Sequence, residues 1–289
     1  MVDILLTIIA FNILIIIFKL FDKLGIDNLQ ALIVNYFVAG FCGLYFSEQN
    51  FSINYIIHSE WIFHAIIIGV LFVVTFNLYA IGTQKVGIAI TTIANKLSLF
   101  VPVGIALIIY PNEQLSSIKI VGFILAVIGI YLSSTKKKKL SFDKRYLWLI
   151  IIVFVGQGLA DTIFNNAQKT VVNDADKGLF FMFLLLIAGI SGIIILIGKS
   201  IKSPQKIQFK SILGGLIFGI PNFASLIFFF NALESSGLEA SQVFPVVSMG
   251  VVVGSALVGL LLFKEKLTGM NWLGLLFAVL SIFIITFIK

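Results

Sequence analysis

Long apolar stretches, separated by short polar breaks, dominate the chain from end to end. A helix that spans a bilayer needs about 20 largely apolar residues, and several stretches reach that length. Strands of a membrane barrel would instead alternate in polarity over about ten residues, a pattern that this chain lacks. We therefore predict an all-α membrane protein. Its ten predicted transmembrane helices are residues 3–20, 29–46, 62–82, 87–109, 117–134, 147–168, 178–198, 211–232, 238–263 and 270–288.

Composition supports the same fold class. Of the 289 residues, 60% are hydrophobic and 11% are charged, whereas a soluble domain has about a quarter charged residues. Cys42 is the only cysteine, which excludes an internal disulfide and any multi-cysteine metal site. His58 and His64 fall in or near the loop before the third predicted helix, without metal-like spacing. We expect no metal, no other cofactor and no enzymatic activity.

Two halves of the chain match each other across a basic linker, residues 135–146. The motif AGFCG at 39–43 matches AGISG at 188–192, and Gly87 matches Gly237. The segment EQLSSIKIVGFILAVIGI, starting at Glu113, matches EKLTGMNWLGLLFAVLSI, starting at Glu265. The offset stays between 149 and 152 residues at all three places, which shared apolar composition alone would not produce.

An odd number of helices per half fixes the relation between the halves. After five crossings, the second copy must enter the membrane from the opposite side. The sequence therefore predicts two inverted five-helix repeats, residues 3–134 and 147–288. Inverted repeats are typical of secondary transporters, which expose a midplane site alternately to each side.

The repeated motifs resemble a known family. The chain resembles the drug/metabolite transporter superfamily, in its ten-helix EamA-type branch, at three sets of residues. These are Tyr79-Ala80 … Gly87, its second-half counterpart Asn231-Ala232 … Gly237, and the two Glu-x-Leu-Ser/Thr … Gly motifs. The resemblance implies two EamA-like repeats around a central cavity lined mainly by helices one, three, four, six, eight and nine. The chain departs from the family in having Arg145 as its only arginine and no membrane-embedded glutamate early in helix one.

Two charged residues lie deep in predicted helices. Lys96 falls in the fourth helix and Asp161 in the sixth, both near the bilayer midplane by helical rise. Each costs roughly 2.5–3.5 kcal/mol to insert, so each is a candidate functional residue. Lys96 could hold an anionic group of a substrate, and Asp161 could bind a proton or an amine. Alternatively, the two residues pair structurally, or Lys96 extends toward an interface.

Uncharged polar residues on the same helices extend the candidate site. Asn77, Asn95 and Gln157 are the strongest candidates, although a single amide on a membrane helix commonly joins helices instead of binding a ligand. Pro102 and Pro245 are expected to kink the fourth and ninth helices, either as hinges near the cavity or as ordinary packing kinks. The AGxxG motifs are expected to allow close helix packing.

Basic residues are distributed unevenly between the predicted loops. Loops after helices one, three, five, seven and nine carry 15 lysine and arginine side chains, and the other face carries four. The positive-inside rule places the richer face in the cytoplasm and both termini outside. The family resemblance implies cytoplasmic termini instead. Because these loops are short, we favour the orientation given by the charges.

Together, these features predict a multi-pass protein of the cytoplasmic membrane that transports a small polar metabolite, such as an amino acid or an organic anion, by alternating access. The expected partners are that small-molecule substrate and the lipid bilayer, with protons and a second copy of the chain as further candidates. No nucleic acid is expected, because topology explains the basic loops. The alternative is a membrane sensor or scaffold that kept the transporter fold without transporting.

Overall fold

The chain folds into a bundle of α-helices, seen in a computed structural model that describes residues 1–82, 88–109, 116–134, 144–264 and 267–287. These ranges contain no β-strand. A 3-10 turn at Lys144–Tyr146 precedes α8. The helices are α1 (Val2–Leu24), α2 (Asn28–Tyr45), α3 (Ile53–Ile57), α4 (Ile62–Gly82), α5 (Ile88–Leu97), α6 (Phe100–Ile109), α7 (Ser117–Ser134), α8 (Leu147–Thr170), α9 (Lys177–Lys202), α10 (Phe209–Ser235), α11 (Ala240–Phe263) and α12 (Gly269–Phe287).

Eight helices within the described ranges are long and apolar enough to cross a membrane: α1, α2, α4, α8, α9, α10, α11 and α12. Two shorter apolar segments, Ala94–Ile109 and Ser117–Ser133, stand where the fourth and fifth helices were predicted. The prediction of an all-helical, multi-pass membrane protein is therefore confirmed. Gly87, Glu113, Glu265 and linker residues 135–143 lie outside the described residues.

The predicted fourth helix, 87–109, is wrong as a single element, because α5 ends at Leu97 and α6 begins at Phe100. Pro102 explains the break. A proline has no N–H to bond the carbonyl four residues earlier, and its ring clashes with that carbonyl. That carbonyl belongs to Ser98, which accepts instead from Val101 N at 2.9 Å. Pro102 thus lies in the first turn of a new helix, where no such bond is needed.

Two other prolines lie inside helices without interrupting them. α10 continues through Pro221, and α11 continues through Pro245. Local signals define several helix ends. Asp27 caps α2 by accepting from Gln30 N, and Glu239 forms a capping box with Gln242 at the start of α11.

Helices α2 and α9, which carry the matching AGxxG motifs, pack against each other in antiparallel orientation. A methyl group at Gly43 would lie 2.8 Å from Met182 N, and one at Gly40 would lie 3.3 Å from Met182 O. On the facing helix, a methyl group at Gly189 would lie 3.0 Å from the ring of Phe37. Only glycine permits this approach of the two backbones, as the motif predicted.

Helices α7 and α12 form a second antiparallel pair. Ser281 Oγ donates to Gly122 O at 2.8 Å, and Asn271 Nδ2 lies 3.0 Å from Ser133 O. A methyl group at Gly274 would overlap Ser133 N. The packing of this pair therefore depends on close backbone contact combined with hydrogen bonds between the helices.

One end of the bundle, here called the basic end, gathers the lysine-rich loops. Gln30 Nε2, at the start of α2, donates to Lys206 O at 2.9 Å, and Lys210 Nζ donates to Leu24 O at 3.0 Å. Lys19 and Lys23, near the end of α1, place their ammonium groups over the ring of Phe263. The loops after α1, α9 and α11 therefore lie at the same end.

The opposite end, here called the acidic end, contains the start of α1 and the end of α12 and is held by ion pairs. Lys177 contacts Asp174 and Glu234, and Lys119 contacts Glu239, each at 2.5 Å. Most of the described carboxylates lie at this end, whereas most of the described lysines lie at the basic end.

Candidate functional site

Helix α8 presents Gln157 and Asp161 on one face, because residues four apart lie one above the other on a helix. Gln157 Nε2 donates to Asp161 Oδ1 at 3.0 Å. Asp161 is the fifteenth of the 24 residues of α8, about 21 Å from the start of the helix and about 14 Å from its end by helical rise. The carboxylate therefore lies deep in the membrane-spanning part of the bundle.

Helix α5 brings two further predicted residues to this position. Asn95 Nδ2 lies 3.5 Å from Gln157 Oε1, a long contact, and Lys96 is close enough to Asp161 for electrostatic attraction. Four of the five residues chosen from the sequence thus come together between α5 and α8. We call Asn95, Lys96, Gln157 and Asp161 the charged cluster.

The break between α5 and α6 lies directly beside the charged cluster. Ser98 Oγ donates to Asn95 O, and Leu99 N donates to Lys96 O at 3.4 Å, so the backbone tightens by one residue before α6 begins. Helix breaks at this depth are tolerated only where the backbone is buried in protein or lines a polar cavity. Interrupted helices of this kind form the midplane sites of many transporters.

Small residues on α8 allow the neighbouring helices to approach the charged cluster. A methyl group at Gly158 would lie 2.5 Å from Val101 Cβ and 3.0 Å from Ser98 O. One at Gly156 would lie 2.9 Å from Thr75 Oγ1, on α4. The glycine before Gln157 and the glycine after it therefore set the distance of α8 from both α4 and the broken helix.

Asn77 does not join the charged cluster. It lies near the end of α4, where its Oδ1 accepts a hydrogen bond from Lys199 Nζ at 3.2 Å. The hydrogen bond joins α4 to α9 near the basic end. This contact favours a structural role for Asn77, the alternative that the sequence left open for isolated amides.

The position that matches Asp161 in the first half is Asn12, 149 residues earlier. Asn12 Nδ2 donates to Ile8 O at 2.8 Å, and the side chain packs against Gly254, on α11. At the crossing of α1 with α11, an amide therefore stands where the matching sequence position on α8 has a carboxylate. Of these two matching positions, the one on α8 carries the charge.

A group of aromatic rings packs together between the middle of α8 and its end at the acidic end of the bundle. Phe229, on α10, contacts the rings of Phe11, Phe164 and Phe244 at centroid distances of 6.3, 5.8 and 5.3 Å. These rings come from α1, α8, α10 and α11, and we call them the phenylalanine layer. Phe164 follows Asp161 by three residues, so the layer lies about one helical turn beyond the carboxylate.

Sequence reasoning missed a second polar group, at the acidic end of α8. His64 lies in the first turn of α4, and its Nε2 is 3.0 Å from Asn166 Oδ1. The spacing of Gln157, Asp161 and Asn165, each four residues apart, is the signal that marks α8 as a helix with a polar stripe. Within the described ranges, no three His, Cys, Asp or Glu side chains are grouped as metal ligands would be.

Comparison with known proteins establishes the fold. A protein of Haemophilus influenzae described as uncharacterized is 28% identical over 271 residues, which cover 92% of this chain and 90% of that protein. A protein of known crystal structure superposes with a TM-score of 0.77 at 12% identity, covering 99% of this chain and 95% of that chain. No family model matches the sequence. The structural similarity covers nearly all of both chains, so the two proteins share a fold.

Proposed function

We propose that this protein is a secondary active transporter of a small polar metabolite, such as an amino acid or an organic anion. The observation that carries the proposal is the charged cluster, which combines a lysine, an aspartate and two amides at mid-depth beside a helix break. A buried charge costs several kcal/mol, and a protein that needed only packing would gain nothing from this arrangement. Asp161 would bind a proton or a substrate amine, and Lys96 would bind a carboxylate or phosphate.

The packing of the helices supports an inverted repeat. Exchanging the halves maps α1 onto α8, α2 onto α9, α4 onto α10, the α5–α6 pair onto α11, and α7 onto α12. Under this exchange, the α2/α10 contact corresponds to the α9/α4 contact, and both are present. The α1/α10 contact likewise corresponds to the α8/α4 contact, and both are present. The α2/α9 and α7/α12 pairs are antiparallel, which is the relation expected between equivalent helices of opposite insertion.

This arrangement suits alternating access. In such a mechanism, one repeat rocks against the other and exposes a midplane site to each side in turn. The repeated motifs resemble those of EamA-type members of the drug/metabolite transporter superfamily, and we propose that the chain is a ten-helix member built from residues 3–134 and 147–288. The short helices α5, α6 and α7 would complete the ten crossings.

The charge polarity of the bundle supports one orientation. We place the basic end in the cytoplasm, because short loops rich in lysine and arginine remain on the cytoplasmic side. Both termini then lie at the outer face with the acidic end. The host membrane in this proposal is the cytoplasmic membrane.

Uptake by purified protein in liposomes tests the function. Candidate ligands are first selected by a thermal-shift screen of metabolites, since a ligand that binds only the folded state raises its stability. We then compare Asp161→Asn and Lys96→Met with the matched exposed variants Asp174→Asn and Lys206→Met. The cluster variants should lower uptake by about 100-fold or more, because losing one charged partner of a substrate or proton weakens binding by about 3 kcal/mol. The exposed variants should transport normally.

Two outcomes would count against the proposal. Unchanged uptake in the double variant of Asp161 and Lys96 would refute the assignment of the site. Tight binding of a metabolite without flux under any ion gradient would instead indicate a sensor or scaffold that retained this fold.

A further inference from the structure

A small cavity of about 180 Å³ lies between α4, α6 and α8, in the half of the bundle toward the acidic end. Its wall combines His64 with Thr162, Asn165 and Asn166, and α6 closes it with Pro102 and neighbouring aliphatic side chains. His64 Nδ1 and Asn165 Oδ1 are buried and have no hydrogen-bond partner in the part of the chain that the structure describes. Buried polar atoms of this kind are normally satisfied by water, and a polar cavity holds water readily.

The cavity meets α8 at Thr162, Ile163, Asn165 and Asn166, which directly follow Asp161 along the chain. Asn165, on its wall, lies one helical turn from Asp161 and only about 40° from it around the helix axis. Thr162, also on the wall, directly follows Asp161 along the chain. The polar stripe of α8 therefore continues from Gln157 through Asp161 to Asn165 and into the cavity.

The phenylalanine layer lies on the other side of this stripe. Phe164 is about 60° from Asp161 in the direction opposite to Asn165. Toward the acidic end, phenylalanine rings therefore lie on one side of the stripe, whereas the cavity on the other side has polar side chains from α4 and α8 and an aliphatic wall from α6. At about 180 Å³ the cavity is smaller than the roughly 300–1,000 Å³ of typical ligand pockets, but it has room for roughly six waters at about 30 Å³ each.

We infer that this cavity is a water-filled path by which protons reach Asp161 from the acidic end, separate from the path of the substrate. The inference rests on the proposed function in one respect, which is that the proton reaching Asp161 drives transport. The cavity itself does not depend on that proposal. The titratable side chain on the wall of the cavity is His64, and Lys96 is a charged residue on α5 that acts electrostatically on Asp161.

Cysteine labelling tests the path without any transport measurement. Cys42 is the only native cysteine, so a Cys42→Ala chain supplies a background without thiols. Thr162→Cys places a thiol on the cavity wall, and Leu159→Cys places one on the outer, exposed surface of the same helix. A small, charged, membrane-impermeant thiol reagent is then added from the acidic end. The thiol of Thr162→Cys should react at least about ten times faster than that of Leu159→Cys, because a thiolate forms in water and not in lipid.

A third variant shows that the cavity is the route. Adding Ile105→Trp to Thr162→Cys fills the cavity from α6 and should slow the labelling to the rate of the Leu159→Cys protein. Labelling after denaturation confirms that every variant contains its thiol. The inference is overturned if the folded Thr162→Cys protein reacts no faster than the Leu159→Cys protein, or reacts only from the basic end. Either result would overturn the proton path without testing transport, which the liposome uptake assay tests separately. A failure of transport in that assay would not change the labelling result.

Discussion

The contact between α7 and α12 provides a sharp test of the packing, through the substitution Gly274→Ala. A methyl group there would overlap Ser133 N and would lie 2.8 Å from Leu132 C and 2.9 Å from Leu132 Cβ. Two of these atoms belong to the backbone and cannot move independently, so the helices must separate. Separation would also weaken the three hydrogen bonds that join the helices, two from Asn271 and one from Ser281.

The expected loss of stability follows from these contacts. Interhelical hydrogen bonds in membranes contribute about 0.6 kcal/mol each on average, so three contribute about 2 kcal/mol. Overpacking adds about 1–3 kcal/mol, while alanine regains about 1 kcal/mol of helix propensity over glycine. We therefore expect Gly274→Ala to lower the free energy of unfolding by about 2–4 kcal/mol.

Two other glycines provide graded controls. A methyl group at Gly122, which matches Gly274 in the first half, would meet Ile285 Cγ1 at 2.5 Å, a side-chain atom that can rotate away. Gly122→Ala should therefore cost less, about 1–2 kcal/mol. A methyl group at Gly198, on α9, would meet nothing within 4 Å, so Gly198→Ala should leave stability unchanged or raise it by up to about 1 kcal/mol.

The assay is reversible unfolding in mixed micelles with increasing sodium dodecyl sulfate, followed by helical circular dichroism. All three variants carry the same chemical change, so differences among them report only the surroundings of each glycine. If Gly274→Ala and Gly198→Ala unfold with free energies within about 0.5 kcal/mol of each other, the close approach of α7 to α12 is refuted.

Two predictions concern the ends of the bundle. Tyr55 Oη donates to Asp176 at 2.6 Å, and this hydrogen bond, aided by burial, raises the pKa of Tyr55 above its ordinary 10.0. Because the pKa of Tyr55 is higher in the folded than in the unfolded state, this hydrogen bond contributes its full stabilisation below pH 10 and loses it as pH rises through the folded pKa. The free energy of unfolding of Tyr55→Phe, measured against pH, should therefore lack this loss of stability at alkaline pH. In Cys42→Ala protein, Lys206→Cys should react with an impermeant thiol reagent only in inside-out vesicles, and reaction in right-side-out vesicles would reverse our orientation.

Most of the helices could be predicted from the sequence, because lipid imposes a simple rule. Within a bilayer every backbone polar group must bond inside its own segment, so a long apolar run becomes a helix. That rule correctly placed the eight long spans and the deep position of Asp161. It failed at 87–109, because Pro102 has no N–H to bond the carbonyl of Ser98 and its ring clashes with that carbonyl. The helix therefore breaks at Ser98, four residues before the proline.

Residue chemistry likewise identified all four residues of the charged cluster before the structure brought them together. Lys96 and Asp161 stood out because charge is costly in lipid, and Asn95 and Gln157 stood out as their polar neighbours. Asn77 has the same chemistry and a similar predicted depth, yet it bonds to Lys199 at the end of α4. Neither the residue type of Asn77 nor its position in the chain distinguishes it from Asn95. The two residues differ in the helix that lies next to their side chains, which is α9 for Asn77 and α8 for Asn95.

The sequence by itself determined that this chain lies in a membrane, that its halves share matching motifs, and that a few polar residues are buried at depth. These properties follow from residue type and spacing along one chain. Only the tertiary structure decided that α5 and α8 meet, that phenylalanine rings of four helices contact one another about one turn beyond Asp161, and that His64 joins Asn166 beside a small cavity. Those relations depend on distances of a few ångströms between helices far apart in sequence, which side-chain packing alone fixes.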